Sequence, residues 1–297
     1  MLYRVHHRST YHYDDAVSLS HHAAYLRPID RAAQTCQAHR LTVEPAPASI
    51  DETQDYFGNT VTTFAIAEPH RQLIVVAESE IDRRPDPDDA AIGTVAWETL
   101  AGILAAPAEA ADLAAAEFSF ASPIARADNR AGGDAIRRYA KKSFARGRPI
   151  HAAAHDLTRR IHRDFTFDAT ATTISTPPDE VLRLKRGVCQ DFAHLTIACC
   201  RAFGLAARYV SGYLETRPPN GAERLVGADA SHAWVSIYGG DGQWIELDPT
   251  NDQPAGQHHL TVAIGRDYGD VSPLSGVILG GGSHVVTVAV DVERLLI

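Results

Sequence analysis

Three short segments of the chain hold side chains that together could run nucleophilic chemistry: Arg186-Gly187-Val188-Cys189-Gln190-Asp191-Phe192, Ser231-His232-Ala233-Trp234 and Glu246-Leu247-Asp248-Pro249. A thiol, an imidazole and a carboxylate supply a nucleophile, a general base and a group that orients the base. Cys189 is the best placed of the four cysteines. Val188, Phe192, Leu195, Cys199 and Phe203 recur at helical spacing. That spacing predicts a helix from about residue 188 or 189 to Phe203, with Gly187 freeing the turn before it and Gly204 stopping it. A sulfur in the first helical turn meets unpaired backbone N–H groups and the positive end of the helix dipole, which favour an anion. Asp191 opposes that effect, although an acid there also complements the helix start. Cys199 and Cys200 lie deep in the helix without polar neighbours and read as small core residues.

Strand register relates the histidine to the aspartate. His232–Tyr238 and Gln243–Pro249 read as two strands, with Gly239-Gly240-Asp241-Gly242 between them as a hairpin signal. Pairing their apolar faces puts Val235 opposite Ile245 and Ala233 opposite Leu247, and so His232 opposite Asp248 on the other face. The arrangement needs an odd-length loop, such as Gly239-Gly240-Asp241 with Gly242 in a bulge. A two-residue loop without a bulge would send the two side chains to opposite faces.

The elements that must carry these residues fall into two regions. Residues 2–82 read as mostly strands: Tyr3, Val5 and His7 alternate with polar neighbours, Asp14-Asp15 suggests a turn, and Leu73–Ile81 is rich in β-formers. Asp55-Tyr56-Phe57-Gly58-Asn59 reads as a turn between strands. The charged, proline-bearing stretch Arg83–Asp89 marks the boundary. We therefore divide the chain into a β-rich domain at 1–82, a linker at 83–92 and a core at 93–297 that includes closing C-terminal strands. Within the core, alanine-rich helical spacing runs over 94–145, His151–Phe165 and Asp179–Arg186 read as helices, Ala207–Glu215 as a strand, and Arg217–Asp229 as a polar loop able to line a groove.

Composition narrows the function classes. With 297 residues, 45% hydrophobic and 22% charged, the chain has room for two domains and a substantial core. A formal net charge of −9 argues against a nucleic-acid or anionic-membrane partner. The start, Met1-Leu2-Tyr3-Arg4-Val5, has no apolar leader, and no run approaches membrane-spanning length. The four cysteines make no disulfide framework, so a reduced, cytoplasmic setting is expected. The 15 histidines include His151 and His155 at a spacing that can bind zinc, but no Glu follows His151 as in the zinc-hydrolase motif and no CxxC pair occurs. No metal and no cofactor is assigned. Tyr213, Trp234 and Trp244 could line a peptide groove or simply pack the sheet. Asp267, Tyr268 and Asp270 could shape the site from a neighbouring loop.

Taken together, Gly187–His194, Ala207–Tyr213, Ser231–Trp234 and Asp248-Pro249-Thr250 resemble the bacterial transglutaminase-like superfamily, which includes transglutaminases and related cysteine peptidases. Tyr11-His12-Tyr13, Ser20-His21-His22, Leu26-Arg27-Pro28 and Asp55–Asn59 resemble the β-rich N-terminal domain of these proteins, and Gly265–Val271 matches their pattern near the carboxyl end. The resemblance implies an α+β fold: a papain-like core, its thiol helix packed on an antiparallel sheet, preceded by a small all-β domain. It also implies Cys189 as nucleophile, His232 as base and then acid, and Asp248 as the group holding the imidazole. Relatives often supply a second oxyanion donor from an upstream Tyr or Trp, whereas Phe165-Thr166-Phe167-Asp168 has neither. The expected activity is acyl transfer at a peptide or isopeptide amide of a peptide or protein substrate, by hydrolysis in preference to amine transfer. The alternative is a peptide-binding or scaffolding module with an idle triad.

Overall fold

The computed structural model describes residues 1–85, 93–126, 129–215 and 231–295. The expected linker thus lies largely outside the described residues, as does the polar loop expected at 217–229. The chain opens with β1 (Leu2–Ala24), β2 (Gln34–Glu44), β3 (Ser49–Gln54), β4 (Thr60–Ile66) and β5 (His70–Arg83), all paired antiparallel in one sheet of order β2-β5-β1-β4-β3. Asp14-Asp15 is not a turn: β1 runs through it as one 23-residue strand, with the register against β5 slipping between His12 and Val17. A bulge of this kind bends a long strand without ending it, so two acidic residues there need no reversal of the chain.

Helices follow: α1 (Trp97–Ala105), α2 (Ala110–Ala116), α3 (Arg130–Ala140), α4 (Ile150–Asp164), then β6 (Thr166–Phe167), α5 (Pro178–Leu184), β7 (Arg186–Gly187) and α6 (Cys189–Arg201). The second sheet, order β11-β10-β9-β8-β12, comprises β8 (Ala207–Leu214), β9 (Ser231–Gly240), β10 (Gln243–Asp248), β11 (Gln253–Pro254) and β12 (His259–Gly265). Helix α6 lies on this sheet, and Phe192, Leu195 and Cys199 pack in one core with Ala233, Val235, Ile237, Ile245 and Leu247. Gly204, at φ +72°, ends the helix in the left-handed region that only glycine enters without strain. The helix is buried on more sides than its stripe suggested, since Asp191, His194 and Thr196 are enclosed as well.

The last two strands, β13 (Leu274–Gly280) and β14 (His284–Leu295), depart from the expected domain division. Instead of closing the core sheet, both pair antiparallel with β1. β1 is long enough to take β5 and β14 along its first half and β4 and β13 along its second. Val290 and Val292 then bury beside Tyr3, Val5 and Ile81 in the same core as helix α6. The first and last parts of the chain thus form one sheet, which shares its hydrophobic core with the thiol helix. Among the described residues, no single helix is long and apolar enough to cross a membrane.

Candidate active site

The thiol is set by the start of α6. Val188, extended at φ −114° and ψ 179°, is the N-cap residue, and the Asp191 carboxylate reaches back to accept the Val188 N–H at 2.8 Å. That is half of a capping box, the half a valine at the cap permits. Asp191 Oδ2 also accepts the Thr172 hydroxyl at 2.6 Å. Burial pushes the Asp191 carboxyl above its usual range, while the Thr172 and Val188 donors work against the rise. Gly187 matters for space rather than for turn freedom: a Cβ there would stand 2.6 Å from Asp191 Oδ2. Alongside, β6 pairs parallel with β7 and fastens the upstream segment to the thiol loop. Phe165 is buried there against Phe192, whereas Phe167 is exposed.

The structure brings His232 and Asp248 together, though not by the expected pairing. Val235 pairs with Leu247 and Ile237 with Ile245, two residues away from the register read from the sequence. By continuation Asp248 faces Trp234, and His232 is its diagonal neighbour on the same face. The turn is the two-residue Asp241-Gly242, both at positive φ, and the ladder slips between Gly240–Gln243 and Tyr238–Trp244. This bulge at Gly239 restores the parity that a two-residue loop alone would have broken. His232 Nε2 donates to Asp248 Oδ2 at 2.7 Å, and the Cys189 side chain lies near enough to the imidazole to influence its protonation.

Asp248 is fully buried and meets five donors. Oδ1 accepts the N–H groups of Thr250 and Asn251 at 2.9 and 3.2 Å, while Oδ2 accepts Asn251 Nδ2 at 2.6 Å, His232 and His259. Burial alone would raise its pKa, but these hydrogen bonds hold the carboxyl far below the usual carboxylate range. For His232 burial pulls downward, yet the hydrogen bond to Asp248 and the neighbouring Cys189 side chain raise its pKa to about 10. An imidazole raised in this way stabilises the fold fully below its unfolded pKa, near 6.5, and loses that contribution as pH rises through about 10. The depressed Asp248 contributes above about pH 4 and loses its contribution as pH falls. We expect urea denaturation to give highest stability between about pH 4 and 6.5, then a loss on the order of 4 kcal/mol toward pH 10. His232→Gln should flatten that alkaline slope.

The residues expected to bind substrate lie elsewhere. Tyr213 is 2% exposed, with its hydroxyl 2.9 Å from Nδ1 of the buried His7 on β1. Trp234 is 0% exposed, edge-on to His259 at 5.1 Å between centroids, and its Nε1–H donates to Glu246 at 3.4 Å. Neither lines a groove; their polar tips found buried partners in the interior instead. The 267–270 loop braces the helix: the Tyr268 N–H donates to His194 Nε2 at 3.1 Å, Asp267 accepts Ile124 and Gly269 N–H groups, and Asp270 pairs with Arg266.

Sequence reasoning passed over Asn251 and His259, although Asn251 lies two residues after Pro249 and His259 is one of two adjacent histidines, His258-His259. His232, Asp248 and His259 present potential metal-ligand atoms within 4.8 Å of one another. However, His259 Nδ1 accepts the Gly256 N–H at 3.1 Å, so its proton sits on Nε2, the atom a metal would need free. The donor set fits a hydrogen-bonded carboxylate.

Comparison with known proteins agrees with the fold. A family model for the bacterial transglutaminase-like N-terminal region matches residues 3–82, and one for the transglutaminase-like superfamily matches 137–249. An uncharacterized protein of Mycobacterium tuberculosis is 44% identical over 298 residues, covering 98% of this chain and 92% of its own length. One from Mycobacterium leprae is 30% identical over 295 residues, with 98% of each chain covered. A protein-glutamine gamma-glutamyltransferase of Pseudomonas aeruginosa is 29% identical over 111 residues, 35% of this chain and 17% of that protein. The crystal structure of a candidate cysteine protease from Cytophaga hutchinsonii shares the fold, with a TM-score of 0.78 at 21% identity, covering 100% of this chain and 91% of that one.

Proposed function

Because the chain belongs to the bacterial transglutaminase-like superfamily and has its α+β, papain-like fold, a cysteine-based enzyme is the starting premise, and we propose that Cys189, His232 and Asp248 hydrolyse an amide bond through an acyl-thioester. The observation that carries this reading is the buried Asp248 carboxylate holding the His232 imidazole at 2.7 Å, with the Cys189 side chain near enough to the ring to raise its pKa. Asp248 holds the His232 Nε2–H, which leaves the other ring nitrogen to take the thiol proton. The sulfur then attacks the substrate carbonyl, and the Cys189 backbone N–H at the helix start faces the developing oxyanion. His232 returns the proton to the departing amine. Water, deprotonated by the same imidazole, attacks the thioester and releases the acid and the free thiol. Water needs no acceptor site of its own, which favours hydrolysis over transfer. The substrate class is a peptide or protein amide.

The test is turnover of a peptide library read by mass spectrometry, with and without an added primary amine. Cleavage products carrying free carboxyls support the peptidase, and adducts carrying the amine mean a transferase. No turnover, with Cys189 as inert to iodoacetamide as the buried Cys199 and Cys200, would leave an idle binding module.

A further inference from the structure

One buried imidazole touches the site without a part in the steps above. His259, the first residue of β12, has a side chain 3% exposed, with Nε2 3.2 Å from Asp248 Oδ2. A neutral imidazole has one donor and one acceptor nitrogen. The Gly256 N–H, aimed at His259 Nδ1 from 3.1 Å, occupies the acceptor, so Nε2 carries the proton and donates to the carboxylate. The ring cannot swing away, because Trp234 closes against it edge-on.

The turn that delivers His259 is itself held from the first sheet. Arg83, the last residue of β5, is 2% exposed. Its Nε donates to the His259 carbonyl at 3.2 Å, one terminal nitrogen to the Gly256 carbonyl at 3.2 Å, and the other to the Ala33 carbonyl at 3.0 Å. The His259 N–H closes the turn onto the Gly256 carbonyl at 2.9 Å. A planar guanidinium with its donors in a fixed fork suits such a task, which a lysine ammonium does not reproduce.

We propose that His259 is a positioning residue, clamped by Arg83 of the N-terminal sheet, that fixes Asp248 so that His232 stays aligned on Cys189. The inference rests on the triad reading above. It makes the N-terminal sheet part of the active site, through a chain of contacts from Arg83 to the 256–259 turn, His259, Asp248 and His232.

The experiment measures iodoacetamide labelling of Cys189 in the full-length protein at about pH 6 and about pH 9, for wild type, His259→Ala, His259→Gln and Arg83→Lys. A thiol reactive at low pH needs an aligned imidazolium beside it. We expect His259→Ala and Arg83→Lys to lower the rate at the lower pH relative to the higher by about tenfold, and His259→Gln, whose amide can donate to Asp248, to recover most of it. A role in packing alone would lower the melting temperature and leave that ratio unchanged. An unchanged ratio in folded His259→Ala would overturn the inference while the triad stands. A wild-type Cys189 no more reactive than Cys36 at the lower pH would overturn the triad reading itself. If His259→Ala does not fold, imidazole nitrogen NMR of the wild type decides: a proton on His259 Nε2 supports the clamp, and a proton on Nδ1 ends it.

Discussion

Cys189→Ala is expected to abolish turnover, by roughly a million-fold where a substrate is in hand, and to leave the fold in place. The expected stability cost is about 1 kcal/mol, since one partly exposed sulfur is removed and no buried charge loses its only partner. Labelling separates this thiol from the others. Burial pushes Cys200 up to about 12 and Cys199 higher still, and burial also raises Cys36, with Arg27 opposing the effect and Asp30 and Glu52 adding to it. Iodoacetamide near neutral pH should therefore mark Cys189 first, and that label should vanish in the variant. Residual turnover by a folded Cys189→Ala protein would refute the nucleophile.

Asp248→Asn carries the second largest effect. The carboxylate accepts five hydrogen bonds, and an amide in its place turns one acceptor into a donor facing His232, His259 and Asn251. His232 must then move its proton to the other nitrogen, the one that should accept from Cys189, and a wrong tautomer in such a triad costs about ten-thousand-fold in kcat. Asp248→Ala should cost less specificity in tautomer but more stability, on the order of 3–5 kcal/mol, because buried donors lose their acceptor. Denaturation across the acid range checks both: the rise in stability up to about pH 4 that Asp248 supplies should disappear. A variant with wild-type turnover and an unchanged pH profile would remove Asp248 from the proposal.

The register between β9 and β10 illustrates why local reasoning reached the site by an imperfect route. Pairing apolar faces fixed only the parity of the alignment, because side chains alternate with a period of two. A shift of two residues keeps His232 and Asp248 on one face, so the pairing could be displaced and the contact still form. The bulge at Gly239 and the turn at Asp241-Gly242 were open among several solutions, all written in the same four residues. Gly187 was legible as special but for another reason, since its small size answers to a carboxylate four residues ahead.

Tyr213 and Trp234 mark the opposite limit. Aromatic side chains near a triad fit a substrate groove or a core equally well in one dimension; the first sheet enclosed Tyr213 through His7, while Trp234 was buried among Val210, Ala255, Ile264 and His259. The same holds for β13 and β14: alternation predicts strands, but nothing local says which sheet a strand will join. β1 takes them because its length leaves edges free on both halves.

The amino-acid sequence by itself determined the helix that presents Cys189, the strand pair that carries His232 and Asp248, and the family those motifs belong to, because periodicity, turn residues and short motifs are encoded over a few neighbouring positions. Tertiary structure alone decided that the two ends of the chain share a sheet and that Tyr213 and Trp234 are interior. It also decided that Arg83, some 160 residues before Asp248 in the chain, reaches the turn behind the carboxylate. Those outcomes depend on which surfaces exclude water together, and that is a property of the packed molecule rather than of any segment.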